Sequence, residues 1–161
     1  MQIRQANLQD IPTIVEMKMA MFREAGSFQL LQVGAEERIA AAYSDLYQQQ
    51  KCCHFIVEDE GVAVACGGAV IKDDVPFCFF KTPYYGYIMD VYCEPASRRK
   101  GYATQLVPQV IAWLRERGVH NIKLKPSGAG QRMYEKLGFQ RIEKPGQTNH
   151  GTMDLFYIKQ L

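Results

Sequence analysis

The segment Val91-Tyr-Cys-Glu-Pro-Ala-Ser-Arg98-Arg99-Lys100-Gly101-Tyr102-Ala103 constrains this chain more than any other part of it. Residues 87–93 read as a strand, Pro95 ends it, and a basic triplet with a glycine follows. Residues 101–117 then place Ala103, Leu106, Val107, Val110, Ile111 and Leu114 on one helical stripe, with Gly118 where the helix stops. A strand feeding a long amphipathic helix through a glycine loop belongs to a layered α/β fold. The N–H groups of a helix's first turn lack partners and carry the positive end of its dipole. Gly101 and the small Ala103 leave room for a pyrophosphate to approach them, and Arg98, Arg99 and Lys100 add longer-range attraction. The loop has neither the G-x-x-x-x-G-K-[ST] pattern of a nucleotide-hydrolysing phosphate loop nor the three glycines of a dinucleotide fingerprint.

The rest of the chain alternates in the same way. Residues 2–6 read as a short strand, and residues 8–24 as a helix capped by Asn7 and ended by Gly26. A second helix is expected over 35–49, and strands over 55–58 and 62–71 around the turn Asp59-Glu60-Gly61. An aromatic stretch, 75–86, precedes the strand at 87–93. Beyond the long helix, 120–125 reads as a strand, 131–137 as a short helix closed by Gly138-Phe139, and 152–158 as a last strand. Pro108 falls inside the long helix, where it removes a backbone bond and crowds the Thr104 carbonyl, so a kink is expected there. The pattern predicts a mixed central sheet of about seven strands flanked by about four helices, in one domain over 1–161.

Composition removes several classes of function. A formal charge of +2 is too small for a nucleic-acid surface, and no apolar run approaches a membrane span. The N-terminus lacks the apolar stretch of a signal peptide, which points to a cytoplasmic protein. Five cysteines, at 52, 53, 66, 78 and 93, have no repeated metal-binding spacing, so free buried thiols are expected and no metal. His54, His120 and His150 read as surface or strand-end residues.

The segment Pro95-x-x-Arg98-x-x-Gly101-x-Ala103 after a strand resembles the acetyl-coenzyme A loop of the GNAT acetyltransferases. A second block, Leu124-Lys-Pro-Ser127-Gly-Ala-Gly-Gln-Arg-Met-Tyr134-Glu-Lys-Leu-Gly138-Phe139, is similar to the ending common in that family. The opening Ile3-Arg4-Gln-Ala6-Asn-Leu-Gln-Asp10-Ile11 is similar to its N-termini, and Tyr87-Ile-Met-Asp90-Val91-Tyr92 to a bacterial branch that usually carries Asn at the Asp90 position. Ala103 replaces a motif glycine, and Ser127 stands where asparagine is common. The resemblance implies the GNAT fold and an acetyl-CoA-dependent N-acetyltransferase whose acceptor is a primary amine of a small molecule or peptide. It implies coenzyme contacts from Val91, Tyr92, Cys93, Arg98, Arg99, Lys100, Gly101, Tyr102, Ala103, Thr104 and Ser127.

Such a reaction needs a neutral amine and a protonated or shielded thiolate. A lysine-like amine is neutral about one part in a thousand near neutral pH, a cost of roughly 4 kcal/mol. The resemblance makes Tyr134 the acid for the departing thiolate; a core aromatic is the plainer reading. Asp90, a carboxylate between Met89 and Val91, is the candidate base, or else a partner for a neighbouring loop or helix end. Cys93 falls near the expected thioester, where direct transfer is simpler than a covalent relay. The aromatic residues of 77–87 could line an acceptor pocket, form a homodimer contact or serve as a hydrophobic lid. A non-catalytic acetyl-CoA-binding module is the alternative function.

Overall fold

Cys52 and Cys53 are neighbours in sequence yet belong to different cores, because successive side chains of a strand point to opposite faces of its sheet. The computed structural model describes residues 1–73, 83–128, 130–142 and 156–160. The strands are β1 (Gln2–Gln5), β2 (Cys52–Asp59), β3 (Val62–Asp73), β4 (Tyr84–Cys93), β5 (Asn121–Leu124), β6 (Gln140–Ile142) and β7 (Phe156–Gln160). The helices are α1 (Ile11–Glu24), α2 (Ala35–Gln48), α3 (Tyr102–Glu116) and α4 (Gln131–Lys136). The strands form one mixed sheet in the order β1-β2-β3-β4-β5-β7-β6, the mixed α/β sheet expected from the sequence.

One face of the sheet packs on α3 and α4. Leu106, Val107, Val110 and Leu114 of α3 are fully buried there against Val57, Ala69, Ile88, Ile122 and Leu124. Each such aliphatic side chain contributes about 1.5–3 kcal/mol by leaving water. The other face packs on α1 and α2 through Ile14, Val15, Met17, Met19 and Tyr43 against Ile56, Cys66 and Tyr92. α3 runs unbroken through Pro108, which lies on its solvent face.

Two departures from regularity position the site. Cys66 pairs with Tyr92 and Gly68 with Met89, so Asp90 and Val91 together oppose Gly67 in a β-bulge. Asp90 takes a left-handed φ of 57° there. The second is the junction of β4 and β5. Their parallel pairing covers Gly86↔Ile122, Tyr87↔Lys123 and Ile88↔Leu124, while Met89–Cys93 continues alongside β3.

Element ends differ from the sequence expectation where the hydrophobic period is masked. β2 starts at Cys52, three residues early, because both its faces are buried and no alternation marks it. Leu8–Asp10 forms a 3-10 turn ahead of α1, closed by a reciprocal Asn7–Asp10 capping box. β6 has three residues, too few to carry a period. The strand expected at 152–158 is described from Phe156 and extends to Gln160, and its earlier part lies outside the described residues. His54 is not a surface residue: it is fully buried within β2.

Candidate functional site

The basic loop starts from the end of β4. Pro95–Ser97 make one 3-10 turn, Arg99 and Gly101 take left-handed φ values of 63° and 81°, and α3 begins at Tyr102. No side chain caps that helix start, so the first-turn N–H groups, those of Tyr102, Ala103 and Thr104 among them, face outward without a side-chain acceptor. A Cβ built on Gly101 would meet nothing nearer than Gln105 Nε2 at 3.9 Å, so the space before the helix is open.

The three basic side chains of the loop are differently engaged. Arg98 donates from Nη2 to Glu24 (2.6 Å) and from Nε to the Cys93 carbonyl (2.9 Å), and lies 5.6 Å from the centre of the Tyr92 ring. Tyr92 Oη also donates to Glu24, at 2.8 Å, and burial with that bond pushes its phenol up to about 12. Lys100 is 3.5 Å from Asp59, which also accepts from Tyr102 Oη at 2.6 Å. Arg99 is exposed and makes no ion pair with any described residue.

Asp90 turns toward α1 and α2, with its side chain 1% exposed. Lys18 donates to Oδ1, and Tyr43 Oη to Oδ2. His54 Nε2 lies 3.1 Å from Oδ2, and Tyr47 Oη 2.9 Å from His54 Nδ1. A carboxylate only accepts, so Nε2 carries a hydrogen, and in a neutral ring Nδ1 then accepts from Tyr47. Burial alone would raise the Asp90 carboxyl; the His54 hydrogen bond and the Lys18 charge outweigh it and hold it well below the usual carboxylate range. A closed-in, charge-paired carboxylate of that acidity is a poor proton acceptor, which counts against the base expected at this position.

Tyr134 sits in α4, packed edge-to-face against Phe139 with ring centres 5.7 Å apart. Gly138, at φ 85°, turns the chain so that Phe139 N–H reaches the Tyr134 carbonyl at 3.0 Å. Burial, with a smaller effect of nearby Tyr87, raises its phenol above the ordinary value. Ser127 is exposed, and its carbonyl accepts the Gly130 N–H at 2.9 Å in the turn leading to α4. Val91 and Cys93 are half-buried on the face packed against α3, whereas Tyr92 and Asp90 point to the other face.

The fold therefore brings Tyr92, Cys93 and Arg98 together, and sets Asp90 apart from them among Lys18, Tyr43 and His54. Of these partners the sequence marks only His54, which reads there as a surface or strand-end residue. Lys18 left a trace there: it follows Met17 and precedes Met19 on the inner side of an amphipathic helix. His120 is exposed, and His150 and Cys78 lie outside the described residues. Cys52, Cys53 and Cys66 are free and buried. No helix among the described residues is long and apolar enough to cross a membrane.

The acetyltransferase (GNAT) family matches residues 16–139. Among solved structures, a predicted acetyltransferase from Clostridium acetobutylicum, crystallised with acetyl-CoA, is 25% identical, with a TM-score of 0.79 over 92% of this chain and 95% of that one. A GCN5-related N-acetyltransferase from Ralstonia eutropha is 22% identical, with a TM-score of 0.78 over 93% and 99%. A ribosomal-protein-alanine N-acetyltransferase from Brucella melitensis is 22% identical, with a TM-score of 0.71 over the whole of both chains. No curated protein matches the sequence.

Proposed function

We propose, from the premise that this chain belongs to the acetyltransferase (GNAT) family, that it is an acetyl-CoA-dependent N-acetyltransferase acting on a primary amine of a small molecule or peptide. The observation that carries this reading is the uncapped start of α3 behind a left-handed Gly101, next to the place where β4 and β5 part. A pyrophosphate fits there: first-turn donors from Tyr102, Ala103 and Thr104 would receive it, and the open space before Gly101 admits it. Arg98, Arg99 and Lys100 would raise the local concentration of the anion, with Arg99 the least committed to internal pairs. Val91, Tyr92 and Cys93 would flank the pantetheine arm where β4 has left β5, and Ser127 would contact it from the turn before α4. Acetyl-CoA, when bound, supplies the acetyl group as an activated thioester.

Tyr134 is assigned the proton for the departing thiolate. A tyrosine phenol is protonated throughout the neutral range and can donate a hydrogen bond to the thiolate, and Phe139 and Gly138 hold it on a rigid turn. Asp90 is assigned a positioning role: its carboxylate, tied to α1, α2 and β2, holds the bulge in the left-handed conformation beside Val91. Deprotonation of the amine then rests on desolvation and on solvent rather than on Asp90.

Calorimetry with acetyl-CoA, followed by incubation with an amine panel and mass spectrometry of the products, tests the reading. Micromolar binding and an acetylated amine are expected. Binding with no acetylated product would leave a coenzyme-binding module instead.

A further inference from the structure

Strand register brings two lysines and two tyrosines together on the sheet face away from α3. Ile71, Gly86, Ile88, Ile122 and Leu124 point toward α3. Lys72 and Tyr85, paired across β3 and β4, therefore point the other way, as do Tyr87 and Lys123, paired across β4 and β5. The four interlock diagonally. Lys72 Nζ lies 4.9 Å from the centre of the Tyr87 ring, and Lys123 Nζ 4.0 Å from that of Tyr85. Both rings are half-buried, and Lys72 is exposed and makes no ion pair with any described residue.

Position gives this patch its meaning. Tyr87 precedes by one residue the last β4–β5 pair, Ile88↔Leu124, and by three the bulge at Asp90. It is also close enough to Tyr134 to affect that phenol electrostatically. The patch thus lies on β4 just ahead of the place where β4 and β5 part. Its cations are fixed: an ammonium resting on an aromatic face loses little further side-chain freedom when it meets a ligand. Asp73, the nearest acid in sequence, is engaged with Lys51. A polycationic acceptor would bring like charge to the exposed Lys72, whereas an oxyanion would find that ammonium with Lys123 one strand away.

We propose that the acceptor is a small amine that carries an oxyanion, a carboxylate or a phosphate, and that Lys72 and Lys123, seated over Tyr87 and Tyr85, bind that group. This deepens the N-acetyltransferase reading and rests on it.

The test uses the full chain with acetyl-CoA and matched acceptors: glycine, methionine and phenylalanine against their amides, O-phosphoethanolamine against ethanolamine, and spermidine as the polycation. At least one anion-bearing member should exceed its neutral partner at least tenfold in kcat/KM, with spermidine poorest; the amino acids and O-phosphoethanolamine distinguish carboxylate from phosphate. Lys72→Gln and Lys123→Gln should each raise the KM for that acceptor roughly tenfold, leaving the KM for acetyl-CoA unchanged, with Lys72→Arg restoring most of the loss. Calorimetric titration of the same anion-bearing amines into the coenzyme A-saturated protein gives a readout that needs no turnover. Equal or better use of the amides, ethanolamine or spermidine, an unmoved KM in Lys72→Gln, or no calorimetric binding of any anion-bearing amine overturns the inference while leaving the N-acetyltransferase reading intact. Failure of acetyl-CoA itself to bind overturns that reading first.

Discussion

His54 reaches Asp90 across an intervening strand. The two residues sit on β2 and β4, with β3 between them, yet Nε2 and Oδ2 are 3.1 Å apart. Gly68 makes the crossing possible. It is the β3 residue paired with His54, and a Cβ there would lie 2.4 Å from both His54 Cδ2 and the Cys53 carbonyl.

Substitution Gly68→Ala should therefore be costly. The Cys53 carbonyl is backbone and cannot step aside, so overpacking of about 1–3 kcal/mol is expected. Urea unfolding of the variant should show the midpoint lowered with an unchanged slope. A neutral effect would mean that β2 and β3 can separate at no cost.

Acid should weaken the molecule through Asp90. Its folded pKa lies below the ordinary carboxylate value, so the stability it contributes is complete above the ordinary value and is lost progressively as pH falls from there through the lower folded pKa. Lys18→Met alone leaves a buried anion without its cation and should cost about 3–5 kcal/mol. The double variant Lys18→Met with Asp90→Asn should recover part of that loss and flatten the acid limb between about pH 5 and 2. Denaturant midpoints measured across that range decide the matter. An acid limb as steep as the parent's would place the linkage on other carboxylates, Asp10 with Arg4 first among them.

Gly101→Glu should abolish most coenzyme binding without unfolding the chain. The left-handed φ of 81° costs a non-glycine residue roughly 1–2 kcal/mol, and the open space around the position accepts a side chain. A carboxylate facing the first-turn donors of α3 would compete with phosphate. Calorimetry should show an affinity loss of at least tenfold beside a nearly native thermal transition, and unaltered affinity would move the phosphates elsewhere.

Tyr134→Phe keeps the edge-to-face contact with Phe139 and removes the hydroxyl. General acid catalysis is worth roughly 10²–10⁴-fold, so kcat should fall by that order while acetyl-CoA affinity holds. An acceptor slow enough to make chemistry rate-limiting is required. Full kcat under those conditions would make Tyr134 a packing residue.

What the sequence made legible followed from local rules. The α3 stripe, Gly118 and Gly138 at helix ends, and the Asn7 cap each depend on neighbours within a few residues. The basic loop was readable for the same reason. The partners of Asp90 were not, since Lys18, Tyr43 and His54 lie 72, 47 and 36 positions away and converge only once the sheet has formed. His54 was misplaced because histidine alone in a strand carries no sign of the glycine facing it. The Glu24–Arg98 pair was equally silent, as α1 gives no hint that its last residue meets a loop 74 positions on.

The short parallel ladder between β4 and β5 divides the sheet into two antiparallel blocks, β1–β4 and β5-β7-β6, sewn by three register pairs. Such a join is where a sheet would first come apart. In native-state hydrogen exchange the amides of β5 should open at a lower free energy than those of β2 and β3, whose eight register pairs lie at the centre of the larger block. A molecule lodged along the free length of β4 would brace that join from the open end. Its signature would be slowed exchange in β5 and α4 together, a footprint wider than the atoms it touches.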